Sequence, residues 1–241
     1  MVKKEMYQER KVEILMDPTR QHRYLYEATG ESAIKKIILK TELDVRFIES
    51  MTDDGFNIQV AKIPFSGILA ENAKFELKIK EDESTIQISF YELYQKNSLN
   101  DNFVILISLS NKFCLDSLTI ETYKDIRVNF NGYISQLSLE SKFGNIDVKS
   151  SFKEGYFKTL SGKIYIDNFY KKDNQIYVFS ISENITIHVN TKVVKTILKS
   201  ILGLARVVDT TSHRKYSSYK TNKSVSTIYI ESLSSAVSIK N

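Results

Sequence analysis

The densest run of chemically capable side chains lies between residues 190 and 223, where Lys192, Lys195, Lys199, Arg206, Arg214, Lys215, Lys220 and Lys223 are opposed by Asp209 alone. Within it, residues 209–224 interleave Thr and Ser hydroxyls with Tyr216, Tyr219 and four of these cations. Such a mixture can hold phosphate, an anionic polysaccharide or a single strand of nucleic acid. Arg206, Arg214, Lys215, Tyr216, Tyr219, Lys220 and Lys223 are therefore the candidate contacts for an anionic partner, protein or polymer. No groove-reading helix, aromatic platform or Gly-rich phosphate loop accompanies them, which argues against nucleic acid.

A second set could do acid–base work. Glu121, Arg127, Glu140, Asp147, Lys149, Asp167 and Glu231 alternate with apolar residues and so should point outward from strands. A carbohydrate-active enzyme on a β-helix would need such carboxylates gathered across several strands, and sequence alone gathers none. His22, His188 and His213 lack metal-ligand spacing, so no metal is expected. Cys114 is the only cysteine, which excludes an intramolecular disulfide, and between Phe113 and Leu115 it is expected to be a buried thiol. There is no Gly-x-Ser-x-Gly elbow and no Gly-Lys-Ser/Thr phosphate loop. No cofactor is implied, and an enzyme is not expected.

The elements that must position these groups are strands. With 28 Ile, 14 Tyr and 13 Phe but only 2 Pro and 8 Gly in 241 residues, the composition favours β-structure. Strict alternation predicts strands over residues 37–40, 44–48, 56–60, 75–80, 85–91 and 103–109, separated by turns such as 53–55, 81–83 and 100–102. Residues 144–148 recur as 162–166, with related turns near residues 125 and 184, a step of about 20 residues. A longer match joins residues 137–141 and 146–149 to residues 228–232 and 237–240 at a constant offset, so two strands and their turn are repeated intact.

One such repeat cannot bury its own apolar face, so copies must stack. The sequence therefore predicts an all-β fold, a β-solenoid with rungs of about 20 residues over residues 34–241; the alternative is an antiparallel β-sandwich. Residues 1–33 form an N-terminal extension or cap, with residues 6–16 a short helix or a strand. Residues 209–224 are a basic loop insertion. Residues 191–208 read better as two strands around Gly203, although a helical wheel would place their cations opposite Val194, Ile197, Leu198 and Ile201, as on an anionic membrane surface.

Residues 118–128, 137–148, 159–166 and 228–239 each run as strand, Ser-Gly-Asp-Ile-like turn and second strand. On these motifs, residues from about 34 to 241 resemble the bacterial putative-adhesin family of β-strand-repeat proteins. Lys124, Glu183 and Ser235 depart from it at the turn glycine, whose left-handed geometry Gly144 and Gly162 should supply. The resemblance implies a β-solenoid and adhesion, and no catalytic residues. The expected function is a non-catalytic interaction or scaffold protein binding a partner through its outer face and basic loop, with a self-polymerising cytosolic scaffold or a carbohydrate-active enzyme as alternatives. Lys3 and Lys4 are followed by Glu5, Glu9, Arg10 and Lys11 rather than an apolar stretch. The prolines, Pro18 and Pro64, leave no Leu-Pro wall-sorting sequence, and no apolar run approaches the ~20 residues of a spanning helix. A cytoplasmic location is expected, with contact at a membrane surface at most.

Overall fold

The computed structural model describes residues 8–16, 22–28, 33–49, 55–63, 74–93, 103–110, 113–181, 183–190, 194–200, 206–209, 226–233 and 236–240. These residues form strands and turns: β1 (Gln8–Leu15), β2 (His22–Ala28), β3 (Lys36–Thr41), β4 (Asp44–Glu49), β5 (Phe56–Lys62) and β6 (Lys74–Glu81). They continue as β7 (Thr85–Glu92), β8 (Phe103–Leu109), β9 (Leu115–Thr122), β10 (Ile126–Ser141), β11 (Ile146–Thr159) and β12 (Ile164–Asn168). The last six are β13 (Gln175–Ser180), β14 (Ile185–Val189), β15 (Val194–Ser200), β16 (Arg206–Asp209), β17 (Ser226–Ser232) and β18 (Ala236–Lys240).

Hydrogen bonding arranges them as two ladders. Ladder A runs in space β1, β6, β7, β3, β9, the second half of β10, the second half of β11, β13, β17, β15. Ladder B runs β2, β5, β8, β4, the first half of β10, the first half of β11, β12, β14, β18, β16. The pairs β1–β6, β6–β7, β2–β5 and β5–β8 are antiparallel and every other pair is parallel. Because β10 and β11 run through both ladders, all 18 strands join one mixed sheet. The result is all-β, as the alternation predicts, and residues 8–15 are a strand.

Each ladder A strand has a ladder B strand next to it in the chain and at the same place in the other ladder's order, ladder A first except at β5–β6; in β3–β4, from β9 to β14 and in β17–β18 a turn of two to four residues joins them. We call this pair a tier. The alternation of Ile, Val, Leu and Phe buries every second side chain, as in β10, and the buried residues of both ladders form one hydrophobic cluster. Large rings collect in the part that holds the antiparallel strands, where Phe75 stacks on Phe90 at 4.6 Å and meets Phe103 edge-on at 5.3 Å. The central tiers hold Phe130, Phe152 and Phe157 among aliphatic side chains, including Ile126, Ile146, Ile164 and Ile185 in one column of ladder B.

The tiers do not stack in chain order at either end. The β3–β4 tier lies between β7–β8 and β9–β10, and the β17–β18 tier lies between β13–β14 and β15–β16. Tiers that follow one another in the chain are therefore neighbours in space without interruption only from β9 to β14. The strand reading of residues 191–208 agrees with β15 and β16, and the helical one does not.

The repeated turn has a physical basis in two columns of side chains. At the last residue of successive ladder A strands stand Thr41, Thr122, Ser141, Thr159, Ser180 and Ser232, all buried. Three of them donate to a carbonyl in the neighbouring turn: Thr122 Oγ1 to Leu43 O at 2.6 Å, Ser141 Oγ to Lys124 O at 2.7 Å, and Thr159 Oγ1 to Gly144 O at 3.2 Å. Just before the ladder B strands, Asp44 Oδ1 accepts from Asp125 N at 3.1 Å, Asp125 Oδ1 from Asn145 N at 2.7 Å, and Asn145 Oδ1 from Lys163 N at 2.8 Å. These bonds satisfy turn backbone groups that no strand pairs.

Glycine enters for room, not for left-handed geometry. Among the described residues only Gly55 has a positive φ, 114°. A Cβ on Gly144 would stand 2.1 Å from the carbonyl carbon of Lys124, and one on Gly162 would stand 2.0 Å from the Gly144 oxygen. The turn 142–145 holds one residue more than the turn 123–125 beside it, and Gly144 is where the longer turn presses on the shorter. This corrects the expectation drawn from the turn glycines and explains why Lys124 is tolerated at the start of the series.

Candidate functional site

Ladder A leaves alternate side chains outward, and the register sets them in three parallel columns. The central column reads Ile38, Thr119, Ser138, Tyr156, Tyr177, Tyr229, Ile197. Parallel in-register pairing places like positions one ladder step apart, so the three tyrosines stack. Tyr156 and Tyr177 have ring centroids 4.7 Å apart, Tyr177 and Tyr229 4.8 Å, and both pairs are within 3° of coplanar orientation. Tyr156 is exposed at 44%, whereas Tyr177 and Tyr229 are half-buried.

One flanking column carries Gln136, Glu154, Gln175 and Thr227; the other carries Glu121, Glu140, Lys158, Phe179 and Glu231. Gln136 Nε2 donates to Glu154 Oε2 at 3.2 Å, and the Tyr177 hydroxyl donates to Gln175 Oε1 at 2.8 Å. Lys158 Nζ lies 2.7 Å from Glu140 Oε1, and Lys40 Nζ 2.8 Å from Glu121 Oε2. The hydrogen bond to Glu121 holds the Lys40 ammonium above its ordinary pKa. Burial, then the neighbouring Tyr156, Tyr229 and Glu154, pushes the Tyr177 phenol up, so it stays a neutral donor at physiological pH. Between the tyrosine column and the column of Glu140, Lys158, Phe179 and Glu231 runs a groove of about 450 Å³ that extends from Ser138 to Ile197.

Ladder B presents a different face. Arg127, Asp147, Tyr165 and Thr186 form one outward column, and Lys149, Asp167 and His188 the next. The Tyr165 and His188 rings meet edge-on at 5.3 Å. Of the outward polar residues read from the sequence, Arg127 and Asp147 are thus neighbours, as are Lys149 and Asp167, while Glu121, Glu140 and Glu231 share one column of ladder A. Among the described residues, no three or more His, Cys, Asp or Glu side chains gather as they would around a metal ion. Along the turns, Tyr123 and the 61% exposed Phe143 lie 6.3 Å apart, with Lys142 Nζ 4.8 Å from the Tyr123 ring.

Cys114 is exposed rather than buried: Phe113 and Leu115 turn inward and alternation carries the thiol outward. Arg206 begins β16 and pairs in register with Ala236. Arg214, Lys215, Tyr216, Tyr219, Lys220 and Lys223 lie outside the described residues, as does most of the basic loop 209–224. The tyrosine column went unread in the sequence, although its signal is there. The long repeat already places Ser138 opposite Tyr229, and carrying that phase through the intervening strands brings Tyr156 and Tyr177 to the same position.

No family model matches the chain, and no curated protein matches it. Among solved structures, it is similar to a putative cell adhesion protein from Clostridium sporogenes at 16% identity, covering 97% of this chain and 99% of that one, with a TM-score of 0.50. Two further structures are a putative adhesin from Bacteroides fragilis, at 11% identity, 92% and 98% coverage and a TM-score of 0.38, and one from Parabacteroides merdae, at 10%, 97% and 96% and 0.36. The expectation of a cytoplasmic location is corrected on one finding, that the Clostridium sporogenes protein whose fold it shares is described as a putative cell adhesion protein. No helix among the described residues is long and apolar enough to cross a membrane. Over most of its length the chain is similar, at low identity, to bacterial proteins described as putative adhesins, the first of which shares its fold.

Proposed function

We propose that this chain is a non-catalytic binding protein of the adhesin kind that presents the outer face of ladder A to a partner outside the cytoplasm. In this reading the two ladders are the walls of a single β-solenoid. Residues 34–241 wind it, and the strands within residues 1–33 cap it. The observation that carries the proposal is the tyrosine column. Three stacked rings on an outward face add little to a core that lies on the other side of the strand, yet tyrosine is a residue that recognition surfaces favour, being rigid, amphipathic and cheap to order. The basic segment, with Arg206, Arg214, Lys215, Tyr216, Tyr219, Lys220 and Lys223, is a second contact that adds attraction for anionic partners.

Binding of the purified chain to an array of glycans and extracellular matrix proteins tests this, with three variants beside it. Tyr177→Ser/Tyr229→Ser changes the ladder A face, Arg127→Ser/Lys149→Ser changes ladder B, and Arg214→Ser/Lys215→Ser/Lys220→Ser/Lys223→Ser changes the loop. The ladder A variant should lose about tenfold or more in affinity while the ladder B variant binds as the parent does. A parent-like ladder A variant beside a defective ladder B variant would overturn the reading.

Self-association is the second reading, favoured by one observation. Among the described residues β15 pairs only with β17 and β16 only with β18, so each leaves one row of backbone N–H and C=O groups unpaired, a template for another chain. Sedimentation velocity should then show oligomers growing with concentration, and a monomer throughout would remove it.

A further inference from the structure

We infer that the ladder A groove binds an uncharged glycan, with one sugar ring stacked on the open face of Tyr156 above Ser138. This rests on the reading of ladder A as the binding face and names what the face takes.

The column of rings stops abruptly. Tyr229 stacks on Tyr177 and Tyr177 on Tyr156, but the next positions are Ser138 and Thr119. A ladder step is ~4.8 Å, the same as the ring spacing, so the place of a fourth ring is one step beyond Tyr156. There the side chain is a hydroxymethyl group, and the groove begins at that residue. At the far end the column is closed by Ile197 beside Tyr229. A flat ring of the ligand can therefore continue the stack at one end only.

The rim decides what kind of ring. Beside the Ser138 place stand Gln136 and Glu140, each already joined to the next strand, Gln136 to Glu154 at 3.2 Å and Glu140 to Lys158 at 2.7 Å. Both sides thus offer acceptors and donors together. A cationic side chain entering here would meet the Lys158 ammonium, and an anionic group would meet Glu140 and Glu154, with Glu121 one step away. A pyranose fits both constraints, since it has an apolar C–H face to lay on an aromatic ring and a rim of hydroxyls that donate and accept. The groove, about 450 Å³, lies within the usual range for small-ligand sites.

The test is calorimetric titration of the full chain with soluble uncharged oligosaccharides of glucose, mannose and N-acetylglucosamine. Two variants accompany it: Tyr156→Ala, which removes the stacking face, and Ser138→Tyr, which fills the vacant place with a fourth ring. The parent should bind at least one of these sugars, and each variant should weaken that binding by about tenfold or more. Ser138→Tyr should keep the parent's unfolding midpoint, so that its loss reports a blocked site and not a damaged fold. Failure of all three sugars to bind, or binding undiminished in either variant, would overturn the inference. A protein partner that is lost with Tyr177→Ser/Tyr229→Ser while no sugar binds would overturn the glycan and leave ladder A as the binding face.

Discussion

Ser141 does the work of two hydrogen bonds: its Oγ donates to Lys124 O at 2.7 Å and accepts from Gly144 N at 2.8 Å. Removing it leaves both backbone groups without their buried partner, so Ser141→Ala should cost ~1–3 kcal/mol. Ser232 holds the equivalent place in its strand, yet its buried Oγ finds no partner among the described residues. Ser232→Ala should therefore be neutral or slightly stabilising, and urea midpoints of the two variants measure the contrast. Gly144→Ala should destabilise by ~1–3 kcal/mol through overpacking, because the atom its Cβ meets is backbone and cannot turn aside. The recurrence of these residues was legible in the sequence. Their reason was not, since a glycine needed for left-handed backbone and one needed for closeness look alike until the neighbouring turn is seen.

Most strands could be read directly, because each has one face on the core and alternation records it. The run Phe103–Ile107, continuous in its apolar character, is buried in β8 except for the half-buried Leu106. What could not be read is that β10 and β11 each serve both ladders, since the crossing in β10 leaves only one break in its alternation, at Ser135 and Gln136, and no turn residue ends the strand there. Pairing partners were also hidden, because alternation fixes the face of a strand and not its neighbour. The β6–β7 turn offers an element-scale check. Asp82 Oδ1 accepts from Ser84 N at 2.9 Å and Thr85 N at 2.6 Å, and the first of these bonds is the main reason its carboxyl lies below the ordinary 3.8. A carboxylate with a depressed folded pKa stabilises above its unfolded value and loses that contribution as pH falls through the folded one. Asp82→Ala should thus lower the thermal midpoint by ~2–4 °C at pH 7, and the gap to the parent should close below the ordinary carboxylate range.

At the scale of the molecule, the end of the sequence is not the end of the stack. β17 is held on one side by β13 and on the other by β15, and β18 by β14 and β16. The last described strand, β18, is thus paired on both edges. Ending the chain at residue 225 should therefore undo more than the segment removed. Amide protons of β15 and β16 should lose protection in hydrogen exchange, while those of β9 to β12 keep theirs. Retained protection in β15 would mean that it can pair directly with β13, and that the described order is not required.

The same interleaving bears on how the protein comes into being. A ribosome delivers β15 and β16 before it delivers β17 and β18, yet the earlier pair has no seat until the later pair lies against β13 and β14. The two outermost tiers at that end must then form together, once β18 has been made, by closing contacts that are slow because they are distant in the chain. During that interval β13 and β14 stand as an open edge on the nascent protein, the surface that chaperones guard and that aggregation exploits.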